Sequence, residues 1–231
     1  MEQTGYLRYA VYWAPEAGSS LAGLGAAWLG WDAEARAPAA LAVPPAGVDL
    51  AELTQAPRRY GFHATLKPPF SLTPGATLDG LRAALDACVG AQPAFAAELV
   101  VACDLGFCAL RPAAPCPSLN ALAAAAVTQL DRFRAPPTEA ELAKRRARPL
   151  SSAQDAYLTA WGYPYVLEEF RFHLTLSRRL APDEEGPVTI AARTVFGPAL
   201  GAPIAFRDVC LFGDPGGGRP FHLLSRHALS G

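Results

Sequence analysis

Two segments of the chain share one pattern of apolar and polar positions. Phe62-His63-Ala64-Thr65-Leu66 recurs 110 residues further on as Phe172-His173-Leu174-Thr175-Leu176. Because side chains alternate between the two faces of a β-strand, each segment is predicted to be a strand with His and Thr on one face. The apolar residues of each segment then lie on the other face, where they can join a core.

The hydrophobic pattern of the rest of the chain predicts further strands and several helices. Strands are expected at residues 7–14, 60–67, 95–102, 107–111, 170–177, 204–212 and 221–226. Helices are expected at residues 20–31, 49–55, 77–89, 118–134, 138–148 and 184–196. Gly23, Gly25 and Gly30 weaken the first of these helices, because glycine is a poor helix former.

The order of these elements is repeated. Each His-x-Thr strand is followed by a helix, a strand, a turn and a second strand; the strand after the helix begins 32 residues beyond His63 and 31 beyond His173. Such a repeat predicts an α+β fold of two pseudo-symmetric lobes, each an antiparallel sheet with outer helices, around a central cleft. We expect a single bilobal domain, with approximate lobes 1–115 and 116–231 that can exchange strands.

Composition narrows the classes of function. With 231 residues, of which 51% are apolar, the chain can bury a sizeable core. A net charge of −1 argues against a polyanion binder that relies on its overall field. The five cysteines show no CxxC pair, the N-terminus does not resemble a signal peptide, and no stretch approaches the roughly 20 apolar residues that span a bilayer. We therefore expect a cytoplasmic protein with no membrane partner.

The alternation of side chains along each strand places one further cationic residue on each polar face. Lys67 is expected on the first His-x-Thr face and Arg171 on the second, as substrate-binding residues. Such cations can hold a phosphate, imidazoles can transfer protons, and hydroxyls can donate to phosphate oxygens. The candidate catalytic residues are therefore His63, Thr65, His173 and Thr175. No metal and no cofactor is expected, since no cluster with metal-ligand spacing is present.

The paired His-x-Thr strands resemble those of the 2H phosphoesterase superfamily. Residues 58–70 (RRYGFHATLKPPF), 161–165 (WGYPY) and 170–176 (FRFHLTL) are similar to its DUF1045 branch, which is associated with phosphonate-utilisation genes. The resemblance implies two lobes around a cleft and metal-independent hydrolysis of a cyclic phosphodiester in a small phosphorylated sugar or nucleotide. It further implies that His63 and His173 are the acid and base, with the threonines on the phosphate.

Two other functions stay open from the sequence. The same site could act on 2′,3′-cyclic RNA ends, as a phosphodiesterase or a ligase, or it could bind a phosphorylated metabolite without turnover. The near-neutral charge counts against a long RNA footprint but not against a short RNA end.

Other conspicuous residues have ordinary structural explanations. His222 and His227 have no threonine two positions further on and are predicted to be structural. Tyr163 and Tyr165 could stack on a base or ribose, although aromatic residues beside a proline more often pack internally. The basic run at 144–148 could guide a nucleotide, but at a helix end such a run is more often a solvated surface.

Overall fold

The computed structural model describes residues 5–45, 47–104 and 106–231. Its strands are β1 (Arg8–Trp13), β2 (Trp31–Asp32), β3 (Ala37–Pro38), β4 (Ala64–Phe70), β5 (Phe95–Ala97), β6 (Leu99–Ala102), β7 (Phe107–Pro112), β8 (Leu174–Arg179), β9 (Ile204–Phe206), β10 (Asp208–Asp214) and β11 (His222–Ala228). Its α-helices are α1 (Ser20–Leu29), α2 (Leu50–Leu53), α3 (Gln55–Arg58), α4 (Leu78–Gly90), α5 (Pro117–Gln129), α6 (Glu139–Arg146), α7 (Ser152–Trp161) and α8 (Pro182–Phe196).

Seven strands form one antiparallel sheet in the order β11-β10-β1-β4-β8-β7-β6. The strands that follow the two histidines, β4 and β8, are neighbours at its centre and pair at Ala64 and Leu174. The sheet therefore has two halves, β11-β10-β1-β4 and β8-β7-β6, joined edge to edge at this pair. The expected α+β fold with antiparallel strands is confirmed, and its two sheets are continuous with each other.

The chain crosses between the two halves of the sheet. Strands β6 and β7 follow the first motif but pair beside β8, whereas β10 and β11 follow the second motif but pair beside β1. A division at residue 115 would therefore separate β6 and β7 from their partner strand. Phe95 of β5 also pairs with Phe206 of β9, which links the two repeats a second time.

Helices α1, α4, α5 and α8 pack on one face of the sheet. Ala64 and Leu174 are both fully buried there, in a core that includes the apolar sides of α1, α4, α5 and α8. Because successive strand residues point to opposite faces, the residues that flank this pair project from the other face. That other face carries a smaller apolar cluster, which includes Tyr12 and Phe212.

Helix α1 contacts both central segments of the sheet. Gly25 packs so closely on Phe62 that an ideal Cβ at Gly25 would lie 1.9 Å from Phe62 Cδ1. The buried indole N–H of Trp28 donates to the Leu176 carbonyl at 2.8 Å. Gly30 ends the helix with a left-handed φ of 73°. Gly25 and Gly30, two of the three glycines that weaken the helix prediction, are thus explained by packing and by helix termination.

Two histidines have partners away from the His-x-Thr motifs. The Tyr6 hydroxyl pairs with His222 Nδ1 at 3.1 Å. His227 is buried; its Nδ1–H donates to the Asp86 carboxylate at 2.6 Å, and the Ser225 hydroxyl donates to its Nε2 at 2.8 Å. This array fastens α4 to the edge strand β11.

The cysteines differ from the sequence expectation at one place. Cys103 and Cys108 form a disulfide across the β6–β7 hairpin, a pairing that their spacing did not predict. No group of three or more His, Cys, Asp and Glu side chains that could hold a metal ion occurs among the described residues. None of the helices in the described part of the chain is long and apolar enough to cross a membrane.

Candidate active site

The ring of His63, which directly precedes β4, is held by the backbone. Its Nδ1–H donates to the Gly61 carbonyl at 2.9 Å, which leaves Nε2 as the acceptor nitrogen of the neutral ring. Gly61 has a left-handed φ of 74°, and an ideal Cβ there would lie 2.7 Å from Ala33 Cβ, so the turn requires glycine. The Thr65 hydroxyl donates to His63 Nε2 at 3.3 Å.

His173, which directly precedes β8, has the same arrangement. Its Nδ1–H donates to the Arg171 carbonyl at 2.8 Å, again two residues earlier in the chain. Phe107 packs against the imidazole in a T-shaped contact with 5.5 Å between ring centroids. Both histidines are therefore fixed in the same tautomer, with Nε2 as the nitrogen available for proton transfer.

The single β4–β8 pair brings the two motifs together on the face opposite helices α1, α4, α5 and α8. In this antiparallel register His63 lies across from Thr175, and Thr65 lies across from His173. The imidazoles are close enough that a charge on His173 lowers the pKa of His63. The structure thus gathers the four His and Thr residues that the sequence singles out, in a pseudo-twofold arrangement.

Burial disfavours the charged form of both imidazoles. It lowers the pKa of His63 from 6.5 to about 4, although the hydrogen bond to Gly61 opposes this change. Burial also lowers the pKa of His173, and the nearby charge of Arg111 lowers it further. Both rings are therefore neutral at pH 7, and an anion bound between them would favour protonation of one of them.

The prediction that Lys67 shares this face is wrong, because β4 contains a β-bulge. Tyr12 of β1 pairs with Thr65, but the preceding residue, Val11, pairs with Lys67, so Leu66 is an extra residue in β4. The bulge shifts the alternation by one residue and turns Lys67 to the helix face, with Val11. An argument from a period of two cannot detect such an insertion.

Lys67 binds the end of α5 instead. Its side chain is buried, and Nζ donates to the Val127 carbonyl at 3.0 Å and to Asp131 Oδ1 at 3.2 Å. Arg134 pairs with the same carboxylate at 2.8 Å. Burial lowers the pKa of Lys67 from 10.5 to about 8, although the Asp131 charge opposes this change. Lys67 is thus a cation at a helix C-terminus that attaches α5 to the sheet.

We expect Lys67 to make stability depend on pH above pH 8. Its folded pKa of about 8 lies below the unfolded value of 10.5, so between these values the unfolded state binds more protons. The free energy of unfolding should therefore rise across this window, by up to about 3 kcal/mol at about 1.36 kcal/mol per pKa unit. Urea unfolding of wild type and Lys67→Met from pH 7 to 10 measures the difference.

The control for this experiment is Lys144→Met, which replaces an exposed lysine of α6. It should follow the wild-type pH dependence throughout. A constant stability difference between wild type and Lys67→Met from pH 7 to 10 would contradict the buried-lysine account.

Arg171 lies at the edge of the site. It is exposed, and its Nη1 donates to the carbonyls of Glu168 and Phe170, each at 2.7 Å. Because Arg171 precedes β8 by three residues, strand alternation does not fix the direction of its side chain. Its role as a substrate ligand stays a prediction.

Sequence reasoning missed two residues on the face of the motifs. Arg111 lies on β7 and shares the face of Thr175 by strand register. Tyr12 pairs with Thr65, and its ring stacks on His63 with 3.8 Å between centroids. Alternation along β1 and β7 indicates which face of its own strand each residue occupies, but the sequence does not show which strands are neighbours.

The basic run and the paired tyrosines meet beside this site. Arg145 of α6 lies over the Tyr163 ring, 4.7 Å from its centroid, and Tyr165 packs edge-on at 5.5 Å. Burial raises the pKa of Tyr163, and the nearby Tyr60, whose ring lies 6.0 Å from that of His63, raises it further. These aromatic residues therefore lie on the His63 side of the site.

A family profile described as "Protein of unknown function (DUF1045)" matches residues 65–222, about two thirds of the chain. The matched segment includes both threonines and His173, and it begins two residues after His63.

Two relatives match nearly the whole chain. Ribose 1,5-bisphosphate phosphokinase PhnN of Janthinobacterium sp. (strain Marseille) is 38% identical over 231 residues, covering 97% of this chain and 51% of that protein. The protein of the same name from Laribacter hongkongensis (strain HLHK9) is 37% identical over 220 residues, covering 94% of this chain and 50% of that protein. The chain thus spans about half the length of each relative.

Among solved structures, the chain is similar to E. coli LigT. The apo crystal structure gives a TM-score of 0.45 at 17% identity, covering 98% of this chain and 99% of that chain. The complex with 3′-AMP gives 0.43 at 18% identity, with the same coverage.

Proposed function

The chain belongs to the DUF1045 family, and from that premise we propose that it is a phosphodiesterase that hydrolyses a cyclic phosphodiester of a small phosphorylated sugar. His63 and His173 act as acid and base, and Thr65 and Thr175 bind the phosphate. One observation carries the proposal: the two His-x-Thr motifs lie side by side on one face, each imidazole fastened through Nδ1 to a carbonyl two residues earlier.

Hydrolysis of a phosphodiester needs two proton transfers. A neutral imidazole takes a proton from water as the water oxygen bonds to phosphorus, and an imidazolium gives a proton to the ester oxygen whose bond breaks. The threonine hydroxyls donate to the non-bridging oxygens, which carry the negative charge. The bound anion offsets the burial that lowers both histidine pKa values, so one imidazole holds a proton in the complex.

The names of the relatives suggest the class of sugar. Both are named for a kinase of ribose 1,5-bisphosphate, and this chain corresponds to about half of each. Ribose 1,5-bisphosphate would form if a cyclic phosphate bridging O1 and O2 of ribose 5-phosphate opened at O2. We propose this 1,2-cyclic phosphate as the substrate, with a nucleoside 2′,3′-cyclic phosphate as the second candidate. The sugar phosphate also agrees with the phosphonate link that the sequence resemblance implies.

The test offers three substrates to the purified protein: the cyclic ribose phosphate, a nucleoside 2′,3′-cyclic phosphate, and an RNA oligomer with a 2′,3′-cyclic end. Phosphorus NMR should show the cyclic signal replaced by that of a monoester, fastest for the ribose phosphate and unchanged by EDTA. Faster turnover of the oligomer would favour the RNA-end activity. Thermal stabilisation without product would favour a binding module.

We expect kcat/KM to peak below pH 6.5. A two-histidine reaction needs one ring protonated and one neutral, and the two rings titrate as a coupled pair. The pKa of His63 is about 4 and that of His173 is lowered from 6.5 by burial, so the protonated partner is lost as pH rises towards neutrality. A pH profile of kcat/KM from 4 to 9 measures this, and a maximum above pH 7 would contradict it.

A further inference from the structure

The two halves of the site have matching backbones but different chemistry. In each half, one residue of the neighbouring strand pairs with the threonine of the motif: Tyr12 pairs with Thr65, and Ala109 pairs with Thr175. One half therefore has a large aromatic side chain at the position where the other has a methyl group. The site therefore presents two unlike surfaces.

Aromatic rings surround His63. The Tyr12 ring stacks on the imidazole at 3.8 Å with an interplanar angle of 27°, and the Tyr60 ring lies 6.0 Å away. Tyr12 is buried and supports the imidazole from within, whereas Tyr60 and Tyr163 are half-buried and reach solvent. Burial raises the pKa of Tyr12, and Tyr60 and Tyr163 are close enough to raise it further. Such a surface suits the apolar side of a sugar ring and its hydroxyl groups.

A cation lies beside His173. Strand β7 pairs regularly with β6 from Ala109 to Pro112, so Arg111 projects from the same face as Ala109 and Thr175. Its charge reaches His173 and lowers the pKa of that imidazole. This half therefore suits an anion.

The Arg111 guanidinium is held in place and still has donors to offer. Its Nη2 donates to Asp104 Oδ2 at 2.7 Å, and its side chain is 27% exposed. Among the described residues, its other two guanidinium nitrogens have no hydrogen-bond partner. A planar guanidinium with two adjacent donors can bind two phosphate oxygens at once.

We propose that the two halves divide the recognition of one substrate. Arg111 binds the non-bridging phosphate oxygens on the His173 side, and Tyr60 and Tyr163 contact the sugar ring on the His63 side. This inference rests on the proposed function and adds to it a single orientation of the substrate across the pseudo-twofold site. The two histidines then have fixed and different neighbours during the reaction.

Inorganic phosphate tests the anion half without any turnover. Phosphate should raise the melting temperature of the wild type, and Arg111→Gln should lose most of this shift, its affinity for phosphate falling about tenfold or more. Arg111→Lys keeps the charge without the planar fork and should retain part of the shift. Arg193→Gln, which replaces an exposed arginine of α8, should bind phosphate as the wild type does.

The sugar half is tested with Tyr163→Ala. This variant should raise KM for the cyclic ribose phosphate about tenfold, as expected for the loss of a stacked aromatic surface. Its binding of inorganic phosphate should equal that of the wild type, because phosphate alone does not reach the tyrosines.

Three results would overturn the division of the site. One is unchanged phosphate binding in Arg111→Gln, and another is loss of phosphate binding in Arg171→Gln in its place. The third is a Tyr163→Ala variant that loses phosphate binding as Arg111→Gln does. Failure of the proposed function is distinct: the wild type would turn over none of the cyclic substrates, while the phosphate measurements would still report on Arg111.

Discussion

Replacement of His63 or His173 by alanine is expected to lower kcat for the cyclic phosphodiester by about 10²–10⁴-fold, the usual contribution of general acid or base catalysis. Each variant keeps one imidazole and so loses one of the two proton transfers. Both rings are half-buried and fastened through one backbone carbonyl, so the fold should survive either change. Steady-state kinetics measures the loss of kcat, and circular dichroism checks that each variant is folded.

The matched control is His222→Ala. That imidazole is also half-buried and is hydrogen-bonded to the Tyr6 hydroxyl, away from the His-x-Thr motifs. Its loss should leave kcat within about twofold of the wild type, since it takes no part in proton transfer. Full activity in either His63→Ala or His173→Ala would refute the two-histidine mechanism.

Gly25→Ala is expected to destabilise the protein by about 1–3 kcal/mol, the usual cost of overpacking a core. The added methyl would lie 1.9 Å from Phe62 Cδ1, so either α1 or Phe62 must move. Phe62 directly precedes His63, and its displacement should lower kcat as well. Thermal unfolding should show a lower melting temperature, by about 2–4 °C for each kcal/mol.

Gly23→Ala is the control on the same helix. Gly23 is exposed in the interior of α1, and an added Cβ would meet nothing within 4 Å. Alanine there should stabilise the helix by about 0.5–1 kcal/mol through its higher propensity. Changes of opposite sign in the free energy of unfolding would distinguish the effect of core packing from that of helix propensity. Equal stabilisation by both would show that the Gly25–Phe62 contact is not tight.

Much of the element order and the four His and Thr residues could be predicted from local pattern. Alternation gives the two motif strands, and the amphipathic patterns give helices near α4 and α8. Helix α7 was not expected; its first turn is marked by a capping box between Ser151 and Gln154. A short polar helix with one buried residue, Leu158, has too weak an apolar stripe to be recognised by periodicity.

The residues whose location could not be predicted from the sequence are those that depend on which strands pair. Lys67 is turned away by a bulge, which exists only because β1 lies beside β4. Arg111 and Tyr12 reach the site through cross-strand pairing, which relates residues that are distant along the chain. Local alternation predicts the face of a residue within its own strand, but it does not predict the neighbours of that strand.

The crossing of strands between the two halves has a consequence for folding. Tyr12 of β1 pairs with Cys210 of β10, so β1 finds this partner only after a further 198 residues have been made. Contacts of such sequence separation have a high loop-closure entropy, and they slow folding. We therefore expect the half that carries His63 to be completed late, when β10 pairs with β1 and β11 then pairs with β10, so that β1 keeps an unpaired edge until then.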